Sequence, residues 1–370
     1  MTALSESSAD SNAGDNSGSN AGSKVTVAIA FVRMPKPESA QCLGRPGEEP
    51  ALSYFRCMAS AFGSVRRWNP GAHLVLVTAE PLPEPYAGQL ARIGVETVLA
   101  PFAHRPPEGL GGGWASSLYH LDAIEALRTR GGTQVFIEPD LLCVRPLDDL
   151  LAAVGDRVGV HFEPALMRPE SKEWDSYWEL CEAMHPELGE QAGRHERFSG
   201  SFYVIPEHHA PVLLDRLERA WQLTLDRHGQ GRPGFSTDEH FMNYALRGVP
   251  VVEMSRHTRV VSTVPWLRCP ERPEVVPELT LWNLCFEKDR GFQRMHPCAV
   301  DPASWFWTSP AAEFRERAAA IMSVKPPRPG SVLVEAAARV LRATTDERLR
   351  RRLRAGYAKF VQLRAVTRAR

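Results

Sequence analysis

Lysine is almost absent from this sequence, with six residues against 38 arginines, a bias that points to a GC-rich bacterial genome more than to physical chemistry. Net charge is absent too. The 44 basic and 44 acidic side chains cancel, so bulk electrostatics asks for neither a nucleic acid nor a membrane. Cysteine is sparse: Cys42, Cys57, Cys143, Cys181, Cys269, Cys285 and Cys298 are odd in number and form no C-x-x-C. That spacing excludes a disulfide framework and a cysteine zinc site, and it fits a reducing cytoplasm. No apolar run approaches the roughly 18 residues of a membrane helix, and the first residues lack the basic-then-apolar order of a signal peptide. Internal repeats are lacking as well.

What is present is enough apolar material, 43% of 370 residues, to bury a substantial core. Residues 1–23 hold Ser, Asn, Gly, Ala and acids, and read as a disordered leader. Lys325 begins a Pro-rich break, and from there to the end thirteen Lys or Arg face three Asp or Glu. The tail therefore carries +10 and the body, residues 1–324, carries −10. Between leader and tail lies one predicted domain, 24–324, in two halves, 24–150 and 151–324.

The first half alternates strands and helices. KVTVAIAFV is a β-branched apolar run ending near Val32, buried on both faces as in a parallel sheet. A helix follows with Leu52, Phe55, Met58 and Phe62 on one face, stopped at Asn69-Pro70-Gly71. HLVLVT and VETVLA are further strands, and WASSLYHLDAIEAL is a helix closed by glycines before TQVFIEPD. The order β-α-β-α-β-α-β implies right-handed crossovers and a doubly wound, parallel α/β sheet. The second half adds shorter strands at RVGVHFE and FSGSFYVIP and a long helix from His209 to Gly229.

The strand QVFI ends in Glu138-Pro139-Asp140. Residues two apart on a strand share a face, so both carboxylates project from the carboxyl end of the sheet, where open α/β sheets bind ligands. Pro139 removes a ladder donor, so pairing stops there. Two carboxylates this close repel unless one is protonated or a cation lies between them, and hard oxygen ligands suit Mg²⁺ or Mn²⁺. The plainer alternative has Asp140 capping the following turn and Glu138 in solvent.

The neighbourhood carries more. An apolar strand, an acid pair, LLCV and then RPLDDLL together resemble the Asp-x-Asp segment of GT-A glycosyltransferases, particularly the glycosyltransferase family 8-like group, with Glu138 standing where that family usually has Asp. RFSGSFYVIP, with Ser199, Gly200 and Ser201, is similar to the small-residue loop at the family's donor-acceptor junction. FSTDEHFMNYAL resembles its acidic helix start, with Asp238 and Glu239. His296 in FQRMHPC resembles its late metal histidine, with His161 and His257 as rivals. The resemblance implies a Rossmann-like, mixed and mainly parallel sheet flanked by helices, with a C-terminal helical extension. It implies Mn²⁺ or Mg²⁺ held by Glu138, Asp140 and His296. It also implies a donor site of Val32, Arg33, His120, Asp122, Glu138 and Asp140, an acceptor site of Ser199, Gly200 and Ser201, and catalytic acids Asp238 and Glu239.

The activity so implied moves a sugar from a nucleoside-diphosphate sugar to an acceptor hydroxyl on a small molecule, glycan or lipid-linked carrier, with retention favoured over inversion. The metal would stabilise the leaving diphosphate, with Arg33 or Arg145 assisting. Two other readings stay open: a nucleotidyltransferase of sugar-nucleotide metabolism, for which the segment after the first strand is a poor Gly-rich loop, and a non-catalytic sugar- or nucleotide-binding protein. The tail sets Leu349, Leu353, Tyr357, Phe360 and Val361 on one helical face, which suits docking on the acidic body or a second subunit, or peripheral contact with the inner membrane face. No nucleic-acid partner is expected, and the expected location is cytoplasmic.

Overall fold

Alternation along the strands of the main sheet gives it a core on each face. In the computed structural model, which describes residues 24–34, 49, 51–162, 172–190, 198–260, 279–285 and 287–324, the strands in chain order are β1 (Val25–Phe31), β2 (His73–Thr78), β3 (Val95–Leu99), β4 (Thr133–Ile137), β5 (Leu141–Cys143), β6 (Val158–Phe162), β7 (Phe198–Pro206), β8 (Val251–Glu253), β9 (Thr258–Val260) and β10 (Leu281–Asn283). The helices are α1 (Ala51–Trp68), α2 (Tyr86–Ile93), α3 (Tyr119–Ala126), α4 (Asp148–Val154), α5 (Lys172–Leu188), α6 (Ala210–Gly229), α7 (Asp238–Ala245), α8 (Gly291–Val300), α9 (Trp305–Thr308) and α10 (Ala311–Ile321). Val27, Ile29, Leu74, Leu76, Val135 and Phe202 face α1, whose Phe55, Met58 and Phe62 complete that core. Their strand neighbours Ala28, Val75, Val77, Phe136 and Tyr203 face α3, α6 and α7. The period of two thus buries both faces of the sheet, which is why its strands lack the polar alternation of a half-exposed one.

Seven strands form the main sheet in the order β3-β2-β1-β4-β7-β6-β8. All neighbours are parallel except at β7, which runs antiparallel to both β4 and β6. The mixed, mainly parallel α/β sheet flanked by helices expected from the sequence is the observed one. From β1 the chain builds outward through β2 and β3 on one side, then returns to place β4 on the other. That reversal opens a crevice at the carboxyl ends of β1 and β4, the switch point at which doubly wound sheets bind ligands.

Several elements were not foreseen. The helix expected from Trp114 starts as a 3-10 turn over Gly112–Leu118 before α3 begins. Helices α5 and α8 have no counterpart among the elements expected from the sequence. A second sheet of three strands, β5-β10-β9, branches off after β4 and packs with α8, α9 and α10 around Trp282, Phe292, Phe306 and Phe314. The expected leader 1–23 and basic tail 325–370 lie outside the described residues. No helix among the described residues is long and apolar enough to cross a membrane, and the cysteines among them form no disulfide.

Candidate active site

The site begins where β4 leaves the main sheet. The Glu138 N–H donates to Ser201 O at 3.3 Å, the Leu141 N–H donates back to Glu138 O at 3.1 Å, and β5 then pairs with β10. Pro139 sits at that fork, supplying no ladder donor. Asp140 is wholly buried between the two sheets, its carbonyl taken by the Leu284 N–H at 3.0 Å. Its carboxylate meets the ammonium of Lys288, which enters from the turn between β10 and α8 and is 4% exposed. The ammonium also lies 5.6 Å from the Tyr54 ring and 3.4 Å from Cys285 O. Burial works against the charge on Lys288, but Asp140, Tyr54 and Glu138 outweigh it and hold the group cationic. Glu138 is pushed well above the carboxylate range, first by burial and then by Asp140.

This arrangement does not fit the expected metal triad. A divalent ion needs several ionised or carbonyl oxygens around one point, whereas Asp140 already faces the ammonium of Lys288 in a buried pair. No group of three His, Cys, Asp or Glu among the described residues could hold a metal. His296 is not brought to the pair. It lies in α8, whose Phe292, Met295 and Ala299 are buried, and its Nε2–H donates to Gln89 Oε1 at 2.9 Å with Tyr86 at 5.9 Å between ring centroids. Burial, then Arg56, pushes its pKa down to about 4. The amphipathic packing of α8 against α1 turns this side chain toward α2 instead of the sheet edge. The rivals stand no closer to the role: His161 is buried on β6 with neither ring nitrogen hydrogen-bonded, its pKa pushed to about 4 by burial and Arg259, and burial also lowers His257.

The second acid pair opens α7. Thr237 caps the helix, its hydroxyl accepting from the His240 N–H at 3.4 Å, and the Asp238 N–H donates to Ser117 Oγ at 3.2 Å. The Gly200 N–H donates to Glu239 Oε1 at 3.1 Å, and Asn243 fastens the same helix to the start of β7, taking the Phe198 N–H at 2.8 Å and donating to Phe198 O at 2.9 Å. Ser199 Oγ and Ser201 Oγ are 3.1 Å apart beside it. Asp238, 5% exposed, has its pKa raised to about 7 by burial and then by Glu239. His120 Nδ1 donates to Ser117 O at 3.1 Å and lies 3.5 Å from Asp238 Oδ2, while burial lowers its own pKa and keeps it neutral. A neutral partner leaves Asp238 able to exchange a proton near pH 7.

The two acid pairs form one cluster. Asp238 contributes to the raised pKa of Glu138, and Asp238, Glu239 and Glu138 all add to burial in raising that of Tyr203. Tyr203 Oη is buried without a hydrogen-bond partner. At the neighbouring strand, Val32 follows the end of β1 and packs against the core, and Arg33 pairs with Glu49 at 3.3 Å and lies over Phe55 at 5.4 Å. Asp122 does not join them: its Oδ1 holds His104 Nδ1 at 2.7 Å, its Oδ2 takes the His104 N–H at 3.2 Å, and Glu218 holds the far side of that ring. His120 and Asp122 are two apart on α3, so they point to different sides of the helix, and only His120 reaches the acids.

Sequence reasoning missed Lys288, Ser117 and Tyr203. Lys288 offered one faint signal, being one of six lysines in a chain with 38 arginines.

No family model and no curated protein sequence matches this chain. Among solved structures the chain is similar to the apo bifunctional glycosyltransferase WbbM, at 12% identity and a TM-score of 0.47, over 80% of this chain and 52% of that one, about half its length. It is similar to the galactosyltransferase LgtC in complex with donor and acceptor sugar analogs, at 12% identity and a TM-score of 0.45, over 84% of this chain and 99% of that one. It is also similar to an active-site mutant of LgtC, at 13% identity and a TM-score of 0.47, over 82% and 97%.

Proposed function

We propose that this chain is a glycosyltransferase of the GT-A kind, which moves a sugar from a nucleoside-diphosphate sugar to the hydroxyl of an acceptor. One observation carries the reading: Asp238, buried with its pKa raised to about 7, lies in one acid cluster with Glu138 at the switch-point edge of the sheet. A sheet edge of this kind takes a nucleotide at the crevice between β1 and β4. A carboxyl group titrating near neutrality beside it suits proton exchange with a hydroxyl, since a general base works best when its pKa lies near the working pH.

In this reading the base and ribose lie over Val32 and Arg33, the diphosphate over the end of β4, and the donor sugar along Ser199, Gly200 and Ser201. The C1–oxygen bond to the β-phosphate breaks and the acceptor oxygen bonds to C1. Asp238 takes the acceptor's proton, and Glu239, fixed by the Gly200 N–H, faces the positive charge that develops at C1. His120 orients Asp238. Small molecules, glycans and lipid-linked sugars all present the hydroxyl this chemistry needs.

The test is release of nucleoside diphosphate from UDP-, GDP-, ADP- and dTDP-sugars by the full-length chain, with and without an acceptor mixture. Release by the wild type, and its loss in Asp238→Asn, supports the reading. No release from any donor would leave a binding protein. The anomeric proton coupling of the product separates inversion, which the Asp238 role requires, from the retention implied by the family resemblance.

A further inference from the structure

A buried lysine needs a reason, because long charged side chains are rarely taken from water. Lys288 is 4% exposed and paired with the wholly buried Asp140. The pair stands at the fork between the two sheets, beside the crevice at the carboxyl ends of β1 and β4. An aromatic bed runs from it to the second cation of that edge: Tyr54 lies 5.6 Å from the ammonium, Phe31 is 5.9 Å from Tyr54, Phe55 is 5.6 Å from Phe31, and Arg33 lies 5.4 Å over Phe55. The only other charge on Arg33 among the described contacts is Glu49, whose side chain is half-exposed.

Of the cationic side chains, an ammonium is the compact one, a point charge where a guanidinium is a flat fork. It is the nearest in shape to a metal ion, and the chain uses it here although it uses arginine almost everywhere else. A divalent ion placed on Asp140 would meet the charge of Lys288 in a dry site, where like charges repel strongly.

We propose that Lys288 is the resident cation of this sheet edge, standing against Asp140 and Glu138 in place of a divalent metal, so that a nucleoside diphosphate binds there without Mn²⁺ or Mg²⁺. The inference rests on the reading of this edge as a nucleoside-diphosphate site, and with Arg33 it supplies two positive charges for that ligand. It has a converse. Removing Lys288 leaves two carboxyl groups and no cation, which is a metal site in the making.

The full-length chain is titrated with UDP, GDP, ADP and dTDP by calorimetry, in EDTA and in Mn²⁺. At least one diphosphate binds, with affinities in the two buffers equal within about twofold, and Mn²⁺ alone does not move the thermal midpoint. Lys288→Met weakens that binding in EDTA by about tenfold or more, the scale of one charged hydrogen bond. Mn²⁺ then raises the variant's thermal midpoint and restores its binding. A Lys288→Met chain that fails to fold in EDTA is tested the same way, since Mn²⁺ should return its cooperative transition. The double variant Asp140→Asn, Lys288→Met keeps the fold without either charge and gains nothing from Mn²⁺.

Wild-type binding that occurs only with Mn²⁺ overturns the role of Lys288 and leaves the nucleotide reading standing. Unchanged binding by Lys288→Met in EDTA, or no Mn²⁺ response in that variant, overturns it as well. Binding of none of the four, in either buffer, removes the nucleotide reading and this inference with it.

Discussion

Gly200 and Asp238 are set so close that a methyl group on Gly200 would stand 2.5 Å from Asp238 Oδ2 and 2.9 Å from Glu239 Cγ. The missing side chain on β7 is what lets the start of α7 bring both acids onto the sheet. Gly200→Ala should therefore push α7 outward, costing about 1–3 kcal/mol by the usual toll of overpacking. Urea denaturation measures the cost, and Ser201→Ala, which adds no atoms, is the control expected to stay close to wild type. Equal stability of Gly200→Ala and wild type would show that the acids do not need this approach.

Asp238 should govern the pH response. Its pKa is raised from 3.8 to about 7, so the folded state holds a proton that the unfolded state has released. Stability from this group is fully present below pH 3.8 and is lost as pH rises through 7, with a slope approaching about 1.4 kcal/mol per pH unit in between. Asp238→Asn, which cannot ionise, should be flatter over that window in denaturation measured at several pH values. In turnover, the wild-type rate should climb to half its plateau near pH 7 as the base form appears. The variant should lose that limb and fall by about 10²–10⁴-fold.

Asp140 and Lys288 should be far more costly to separate than to remove together. Asp140→Asn takes the carboxylate away from a buried ammonium, and breaking a buried pair typically costs about 3–5 kcal/mol. The double variant Asp140→Asn, Lys288→Met should recover most of that in the same urea series, giving a large coupling in the cycle. Additive effects would mean that the two charges are not partners.

His296 should matter for acid stability and not for metal. Its pKa of about 4 lies below the ordinary histidine value of 6.5, so the folded state holds the ring neutral while the unfolded state gains a proton. That contribution is present above pH 6.5 and disappears as pH falls toward 4. His296→Gln should soften the loss of stability across this window. It should leave nucleoside-diphosphate binding unchanged with or without Mn²⁺, and a metal-dependent difference between variant and wild type would return His296 to the site.

Much of this molecule can be read from local pattern. The β-branched run from Val25 to Phe31, the helix stop at Asn69-Pro70-Gly71 and the glycines before β4 announce the β-α alternation, because backbone preference and apolar period act over a few residues. The same locality reveals Glu138 and Asp140 at a strand end, and Thr237 capping a helix that starts with Asp238 and Glu239. Gly200 is legible as a small residue, though its purpose is not, since Asp238 arrives from another element.

What the sequence by itself determined is the layered sheet, its switch-point edge and the acids presented there. Only the tertiary structure decided which groups stand beside those acids. The counter-ion of Asp140 comes from the turn before α8, near the far end of the described chain, and no local period foretells it. Packing of α8 against α1 turned His296 away from the same edge and brought Lys288 to it. A buried carboxylate takes its meaning from whichever charge the fold sets beside it, because in a dry interior that nearest charge outweighs everything written along the strand.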